Sequence, residues 1–324
     1  MKASFARPVN LIKAGYSYLH SSATGKADIK GMPLSLGVEL TNNCNLNCPQ
    51  CASGSGLMKR KRGYMDLELY KKIARELTPY LFNINLYFQG EPMLHPQLFS
   101  FIDNSQNLHT VISTNGHYLT EDNCDKLARS QLKKLIVSVD GTDQETYSAY
   151  RKNGKLEVVE KGLKILKEAR EKHRSLLKTE IQFLVNAFNE HQIPVIRQFA
   201  KSVNASLSLK SMQIIDNREV SLWLPSLNRF RRYYKNGNGF VTRNSMPNRC
   251  ARLWFNPVIT WDGNVVPCCF DKDAEYVMGN LYTDSFSEIW TGPKYRIFRK
   301  SILTGRHMID ICRNCTSGLA GIKY

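Results

Sequence analysis

From residue 36 to about residue 215, short apolar runs alternate with longer stretches in which apolar residues recur every three or four positions. That change of period predicts strands and helices in turn, and so a parallel sheet with helices outside it, an α/β fold. Strands are expected at 36–41, 84–89, 110–114, 135–139, 181–186 and 206–212, and helices at 66–80, 96–104, 120–129, 156–174 and 190–203. Asp66 and Thr120 stand where helix N-caps belong. Periodicity alone leaves a doubly wound sheet and a barrel both open.

The flanks read differently. Residues 1–35 form a basic arm, and within its stretch 9–19 Leu11, Ile12, Tyr16 and Leu19 share one helical face. Such a face is expected to pack against the main domain, a membrane surface or a partner being the alternative. Residues 216–249 read as a bridge, with a helix pattern at 224–234 and a loop rich in Gly and Asn, Asn236-Gly237-Asn238-Gly239. Beyond it, β-branched residues flank Asp262-Gly263, which predicts a hairpin over 258–267, followed by helix patterns at 285–290 and 294–303.

The run Cys44-Asn45-Leu46-Asn47-Cys48-Pro49-Gln50-Cys51 follows the first expected strand and lies in the loop leaving it. Three thiols so close can converge on one metal centre, and a cluster needing four ligands then keeps one iron open. Ferredoxin runs and zinc fingers use other spacings and a fourth protein ligand; a structural zinc knuckle is the alternative. A CxxxCxxC run after a first strand resembles the signature of the radical S-adenosylmethionine (SAM) enzymes.

That resemblance implies a partial (β/α)6 TIM-like barrel over 36–215, with a [4Fe–4S] cluster on Cys44, Cys48 and Cys51 bound together with SAM. In α/β barrels chemistry gathers at the C-terminal ends of the strands. Phe88-Gln89-Gly90-Glu91-Pro92 resembles the family's GGEP motif with Gln in place of its first Gly, which implies that Gln89, Gly90 and Glu91 meet the amino group of SAM. The same resemblance puts Ser113 and Asn115, after the third strand, and Ser138 and Asp140, after the fourth, at the methionyl and ribose ends. It implies Arg151 as partner of the SAM carboxylate, because a guanidinium grips a carboxylate bidentately, and Asn186 near the ribose. One departure is Gln50, where the family usually has an aromatic or large apolar residue whose main chain meets the adenine. A backbone contact tolerates that change.

A second cysteine set comprises Cys250, Cys268, Cys269, Cys312 and Cys315. Four soft ligands from three separate segments suit zinc or an iron–sulfur cluster, and spacing does not decide between them. The hairpin followed by helices resembles the SPASM and twitch extensions of radical SAM enzymes, in the shorter twitch form, over 250–324. It implies Cys250, Cys268, Cys312 and Cys315 as ligands of one auxiliary [4Fe–4S] cluster. Cys269 is left as an alternative ligand, a hydrogen-atom donor or a plain buried thiol. Cys124 falls in a helix pattern and reads as structural.

Composition narrows the partners. The net charge is +17, from 45 Lys and Arg against 28 Asp and Glu, which favours an anionic partner without naming one. The run Lys59-Arg60-Lys61-Arg62 is expected to be a solvated loop. No interleaved basic and aromatic RNA-binding signature is present, so no stable nucleic-acid partner is expected. No apolar run approaches the span of a bilayer, the N-terminus lacks the apolar core of a signal peptide, and clustered thiols suit a reducing compartment, so a cytoplasmic protein without a transmembrane segment is expected. The family reading implies an enzyme that takes an electron from a donor such as flavodoxin or ferredoxin and cleaves SAM to a 5'-deoxyadenosyl radical. It then abstracts hydrogen from a peptide or small-molecule substrate, leading to oxidation or crosslinking. An epimerase using Cys269 and an activating or cluster-bearing binding protein are the alternatives.

Overall fold

The computed structural model describes residues 3–315. Along the chain, α1 (Ala3–Thr24) leads to β1 (Ser35–Val38), α2 (Leu67–Leu77), β2 (Asn83–Asn85) and α3 (Leu98–Asp103). Next come β3 (His109–Thr114), α4 (Glu121–Arg129), β4 (Lys134–Ser138), α5 (Gln144–Tyr150), α6 (Leu156–Lys172), β5 (Lys178–Val185), α7 (Ile193–Ser202) and β6 (Ser206–Ser211). The remainder holds α8 (Val220–Trp223), β7 (Tyr233–Asn236), β8 (Gly239–Thr242), α9 (Arg252–Phe255), β9 (Val258–Ile259), β10 (Asn264–Val266) and β11 (Gly279–Asn280). It ends with α10 (Phe286–Thr291), α11 (Pro293–Gly305) and α12 (Asp310–Arg313). Every strand and helix expected over 36–215 forms, with ends shifted by a few residues, and the fold is α/β of the partial, unclosed TIM-like kind.

One compact unit gathers residues 3–43, 59–110 and 245–315. In it β1 runs parallel to β2 on one side and to β9 on the other, and the β9–β10 hairpin is the one expected around Asp262-Gly263. Leu36, Val38, Ile84, Val258 and Ile259 are buried in this sheet. Helix α2 buries Leu69, Tyr70, Ile73 and Leu77, the spacing of a single helical face, and starts at Asp66, whose carboxylate accepts the Leu69 N–H at 2.9 Å.

One expectation fails in this unit and another holds only in part. Helix α1 turns Asn10, Ala14, Ser17 and Ser21 inward, while Leu11, Ile12, Tyr16 and Leu19 are exposed. The reason lies in the extended segment that follows, whose backbone needs partners. Asn10 accepts the Met32 N–H at 2.7 Å and donates to the Met32 carbonyl at 3.1 Å, Ser17 accepts the Lys30 N–H at 2.8 Å, and Ser21 accepts the Asp28 N–H at 3.1 Å. Small and polar side chains therefore dock the helix, and its apolar face is left outside. The basic run is exposed at Lys59, Lys61 and Arg62, as expected of a solvated loop, but the Arg60 side chain is buried. Arg60 donates to both oxygens of Glu39 at 2.7 Å and to the Lys272 carbonyl at 2.9 Å, and Arg62 donates to the Asn42 carbonyl at 2.5 Å. Glu39 is fully buried and also accepts the Trp261 N–H at 3.2 Å; burial pushes its carboxyl up and Arg60 opposes this.

The other compact unit contains residues 44–58 and 111–244. There β3, β4, β5 and β6 lie parallel in chain order, and β6 pairs with β5 alone among the described residues, so the sheet does not close on itself. Thr120 caps α4 by accepting the Asn123 N–H at 3.3 Å. Cys124 is buried in α4, where burial pushes its thiol up to about 12, as a structural cysteine should be. The helix pattern at 224–234 is not a helix. Pro225 interrupts it, the Glu190 carboxylate takes the Ser226 and Leu227 N–H groups at 2.9 Å each, and the chain then enters the β7–β8 hairpin whose turn is the expected Gly/Asn loop.

Candidate functional site

In the second unit the cysteine loop is built from tight turns. Cys51 N–H donates to the Cys48 carbonyl at 3.2 Å, and Ser55 N–H to the Cys51 carbonyl at 2.9 Å. A Cβ on Gly54 would lie 2.5 Å from the Cys48 nitrogen, so the turn closes only around a residue without a side chain. Leu46 anchors the loop in a core with Met212, Ile214, Val220, Trp223 and Tyr233. Gln50 adds a polar anchor: its Oε1 accepts the Ile215 N–H at 2.7 Å and the Asp216 N–H at 3.2 Å, and its Nε2 bonds Glu219. Sequence reasoning noticed Gln50 only as a departure. Its role as a strut shows once residues 215–219, just past β6, are seen to pass beside it.

Cys48 is buried, Cys44 and Cys51 half-buried. Burial pushes the Cys48 thiol up to about 12, Arg151 pulls it down, and Cys51 and Cys44 add their repulsion. Arg151 Nη1 lies 3.9 Å from the Cys48 sulfur. Its Nε and Nη2 both bond Asp140 Oδ2 at 2.6 Å, while the other oxygen of that fully buried carboxylate accepts the Leu184 N–H at 2.7 Å. Burial works against the charge of Arg151, but Asp140 and Cys48 outweigh it and the guanidinium stays charged. Asn115 donates to Asn45 at 2.8 Å, with its Nδ2 3.9 Å from the Cys44 sulfur. The structure thus brings Asn115, Asp140 and Arg151 to the cysteine loop. His117, which sequence reasoning passed over, joins them: its Nδ1 bonds Asn115 Oδ1 at 3.1 Å and its Nε2 accepts the Lys155 N–H at 2.9 Å. Ser113 and Ser138 sit on the adjacent strands β3 and β4, half-buried and buried. Asn186 is engaged in its own turn, accepting the Phe188 N–H at 2.9 Å and donating to the Leu184 carbonyl at 3.2 Å.

In the first unit the turn at Gln89, Gly90 and Glu91 presses on the chain just before Cys44. Glu91 N–H donates to the Asn43 carbonyl at 2.7 Å, and Gly90 has φ +74°, with the Thr41 and Asn43 carbonyl oxygens 2.6 Å from where a Cβ would stand. Only glycine fits both conditions. Glu91 is buried and accepts the Met93 N–H at 3.0 Å, and Gln89 donates to the Phe88 carbonyl at 3.3 Å.

The same unit holds the second cysteine set. Cys250, Cys268, Cys312 and Cys315 are all buried and Cys269 is half-buried. Burial pushes up the thiols of Cys250, Cys268 and Cys312, the last to about 11, and each also feels its cysteine neighbours. Two arginines offset that repulsion: Arg306 beside Cys250 and Cys312, and Arg252, whose Nη1 lies 3.4 Å from the Cys269 sulfur. Arg299, fully buried, ties the framework together by donating to the Leu253 carbonyl at 3.1 Å and the Trp290 carbonyl at 2.7 Å, with the Tyr295 ring 3.9 Å away. Among the described residues no three His, Cys, Asp or Glu side chains converge as a site for a single metal ion.

A family model for the radical SAM superfamily matches residues 38–195, and one for SPASM, an iron–sulfur cluster-binding domain, matches residues 250–316. The chain belongs to the radical SAM superfamily. Among curated proteins it is similar to the S-adenosyl-L-methionine-dependent 2-deoxy-scyllo-inosamine dehydrogenase of Niallia circulans, 25% identical over 288 residues that cover 86% of this chain and 91% of that one. Among solved structures it resembles BtrN in complex with AdoMet and 2-DOIA (TM-score 0.57, 22% identity, 91% of this chain and 98% of that). It also resembles Streptococcus suis SuiB bound to precursor peptide SuiA (TM-score 0.64, 15% identity, 98% and 76%). The protein is a radical SAM enzyme: its first domain binds a [4Fe–4S] cluster and SAM, and its SPASM domain an auxiliary iron–sulfur cluster. The residues present fit both groups. Each cysteine set gathers soft donors, and each has cations beside it to balance the negative charge that thiolate clusters carry. No helix among the described residues is long and apolar enough to cross a membrane.

Proposed function

We propose that this radical SAM enzyme is an oxidoreductase that withdraws hydrogen from a sugar-like small molecule or a peptide, completing either a dehydrogenation or a crosslink. Cys44, Cys48 and Cys51 hold the SAM-binding cluster, and Cys250, Cys268, Cys312 and Cys315 the auxiliary one. When bound, the first group supplies a carbon radical able to take hydrogen from an unactivated carbon, and the second a one-electron acceptor. What supports the reading is that Cys250, Cys268, Cys312 and Cys315 are each buried; as four ligands of one cluster they would leave no iron open to substrate.

The chain's own residues prepare the site. Asp140 holds Arg151, and Arg151 keeps positive charge beside Cys48, favouring the thiolate that a metal requires. Gln50 and Leu46 fix the loop so that its three sulfurs need not reorganise. Gln89, Gly90 and Glu91 serve the SAM amino group, Arg151 its carboxylate, and Ser113, Asn115, Ser138, Asp140 and Asn186 the surrounding shell. A flavodoxin- or ferredoxin-type donor delivers the electron, and the excess of positive charge favours an anionic partner.

The test is anaerobic reconstitution with dithionite and SAM, with 2-deoxy-scyllo-inosamine as the first candidate substrate because the similar dehydrogenase is named for it. The expected result is 5'-deoxyadenosine together with a product lighter by two hydrogens; no 5'-deoxyadenosine under any condition would overturn the reading. A second reading, epimerisation, is favoured by Cys269 alone among the five being half-buried. Solvent deuterium at an inverted carbon would establish it in place of oxidation.

A further inference from the structure

We propose that the outer face of α1 is a docking surface for an anionic lipid bilayer. The inference is independent of the substrate reading. It starts from the inverted packing of this helix: the polar face is used up on backbone partners, and Phe5, Val9, Ile12, Tyr16 and Leu19 face solvent, Phe5 at 77%, Ile12 at 71% and Leu19 at 67% exposure. With exposed Leu11 and Pro8 these side chains span an arc of roughly 160° at about 100° per residue. A helix partner needs only a narrow seam, whereas a broad apolar face ending in aromatic rings suits the plane of a membrane interface.

Charge selects the kind of bilayer. The helix contains Arg7 and Lys13 and no acidic residue. Near its start an open cavity of 720 Å³ is lined by Arg7, Lys71 and Arg75, with Asp103 the one carboxylate there. Near its end Lys30, whose ammonium sits 4.7 Å over the Tyr16 ring, lines a cavity with exposed Arg296 and with Asp28. Helix α11 continues this basic surface with exposed Lys294, Arg296 and Lys300 around an exposed Ile297, and Lys300 donates to the Gly25 carbonyl at 2.8 Å, just past α1. Apolar side chains at the centre and cations at both ends match acyl chains beneath anionic headgroups.

The test is flotation of the reconstituted full-length protein with phosphatidylcholine vesicles, with and without phosphatidylglycerol. Binding to the anionic vesicles is expected to be at least about tenfold tighter, to weaken as salt is raised, and to fall by about tenfold or more in I12Q/L19Q. Both positions are exposed, so circular dichroism and 5'-deoxyadenosine formation should be unchanged in that variant, and L176Q, at an exposed site in the other unit, should bind like the parent. As a second measurement, Tyr16→Trp should give a blue-shifted emission on anionic vesicles alone. No vesicle binding, or binding that ignores I12Q/L19Q, would overturn the proposal. A dimer dispersed by I12Q/L19Q in the absence of lipid would overturn it too, by assigning the face to a second copy of the chain.

Discussion

The two cysteine sets offer the same kind of donor in different settings. The first is a single short loop with one buried and two half-buried thiols, tied by polar struts: Gln50 to the chain after β6, and Arg151 to a carboxylate. The second collects four buried thiols from three separate stretches, and its flanking cation Arg306 donates to backbone carbonyls, at Pro247 and Arg249, beside the sulfurs themselves. A loop with an accessible side can offer a metal to a ligand. A closed set suits a group that exchanges electrons and nothing else.

The largest expected effect separates the two directly. Cys48→Ala should abolish 5'-deoxyadenosine formation, a loss of about a thousandfold or more, because no other part of the chain supplies that chemistry. Cys315→Ala should lower the iron content yet retain 5'-deoxyadenosine formation while product is lost; iron analysis and chromatography of the two products check this. If both variants lost 5'-deoxyadenosine equally, the division of labour would be wrong.

The flanking arginines should differ next. Arg151→Gln leaves Asp140 buried without its cation, and a cost of about 3–5 kcal/mol is expected in anaerobic denaturant unfolding. Arg306→Gln abandons carbonyls and sulfurs instead of a carboxylate, so about 1–3 kcal/mol is expected. It should also lower the reduction potential of the auxiliary cluster, since removing a nearby positive charge disfavours the added electron; redox titration followed by electron paramagnetic resonance reads the shift.

The smallest effect concerns pH, and each unit carries one contributor. His95 donates through Nε2 to the Met65 carbonyl at 3.0 Å and accepts the Gln97 N–H on Nδ1; His117 bonds Asn115 and accepts the Lys155 N–H. Both are held below the usual 6.5, by burial first, and for His117 also by Arg151. A lowered folded pKa means that the unfolded chain binds the proton first, so the stabilisation is complete above 6.5 and is lost as pH falls below it toward the folded values. Unfolding midpoints should decline across that window, and His95→Gln and His117→Gln should each flatten the decline.

Much of this was legible in the sequence. The six strands announced themselves as short apolar or alternating runs between amphipathic helices, and Asp66 and Thr120 cap as their chemistry requires. Both cysteine groups were visible by spacing. The face that α1 buries was not, because periodicity says which side of a helix is apolar but not whether backbone groups elsewhere claim the polar side first. The run at 224–234 misled for a related reason: Glu190, more than thirty positions earlier, captures the amides that would have opened the helix. Gln50 and Arg60 look like surface residues until their partners, 165 and 21 positions away, are brought beside them.

Strand β1 is completed late. Its neighbour β9 lies more than two hundred residues downstream, and Glu39, just past β1, receives its bond from Trp261 at a separation of 222 positions. A growing polypeptide therefore carries a bare strand edge, and a carboxylate lacking one of its three donors, until Trp261 has emerged from the ribosome. Folding should accordingly be slow, and a chain cut before Val258 should leave β1 open on one side, since a strand made much later closes the first one.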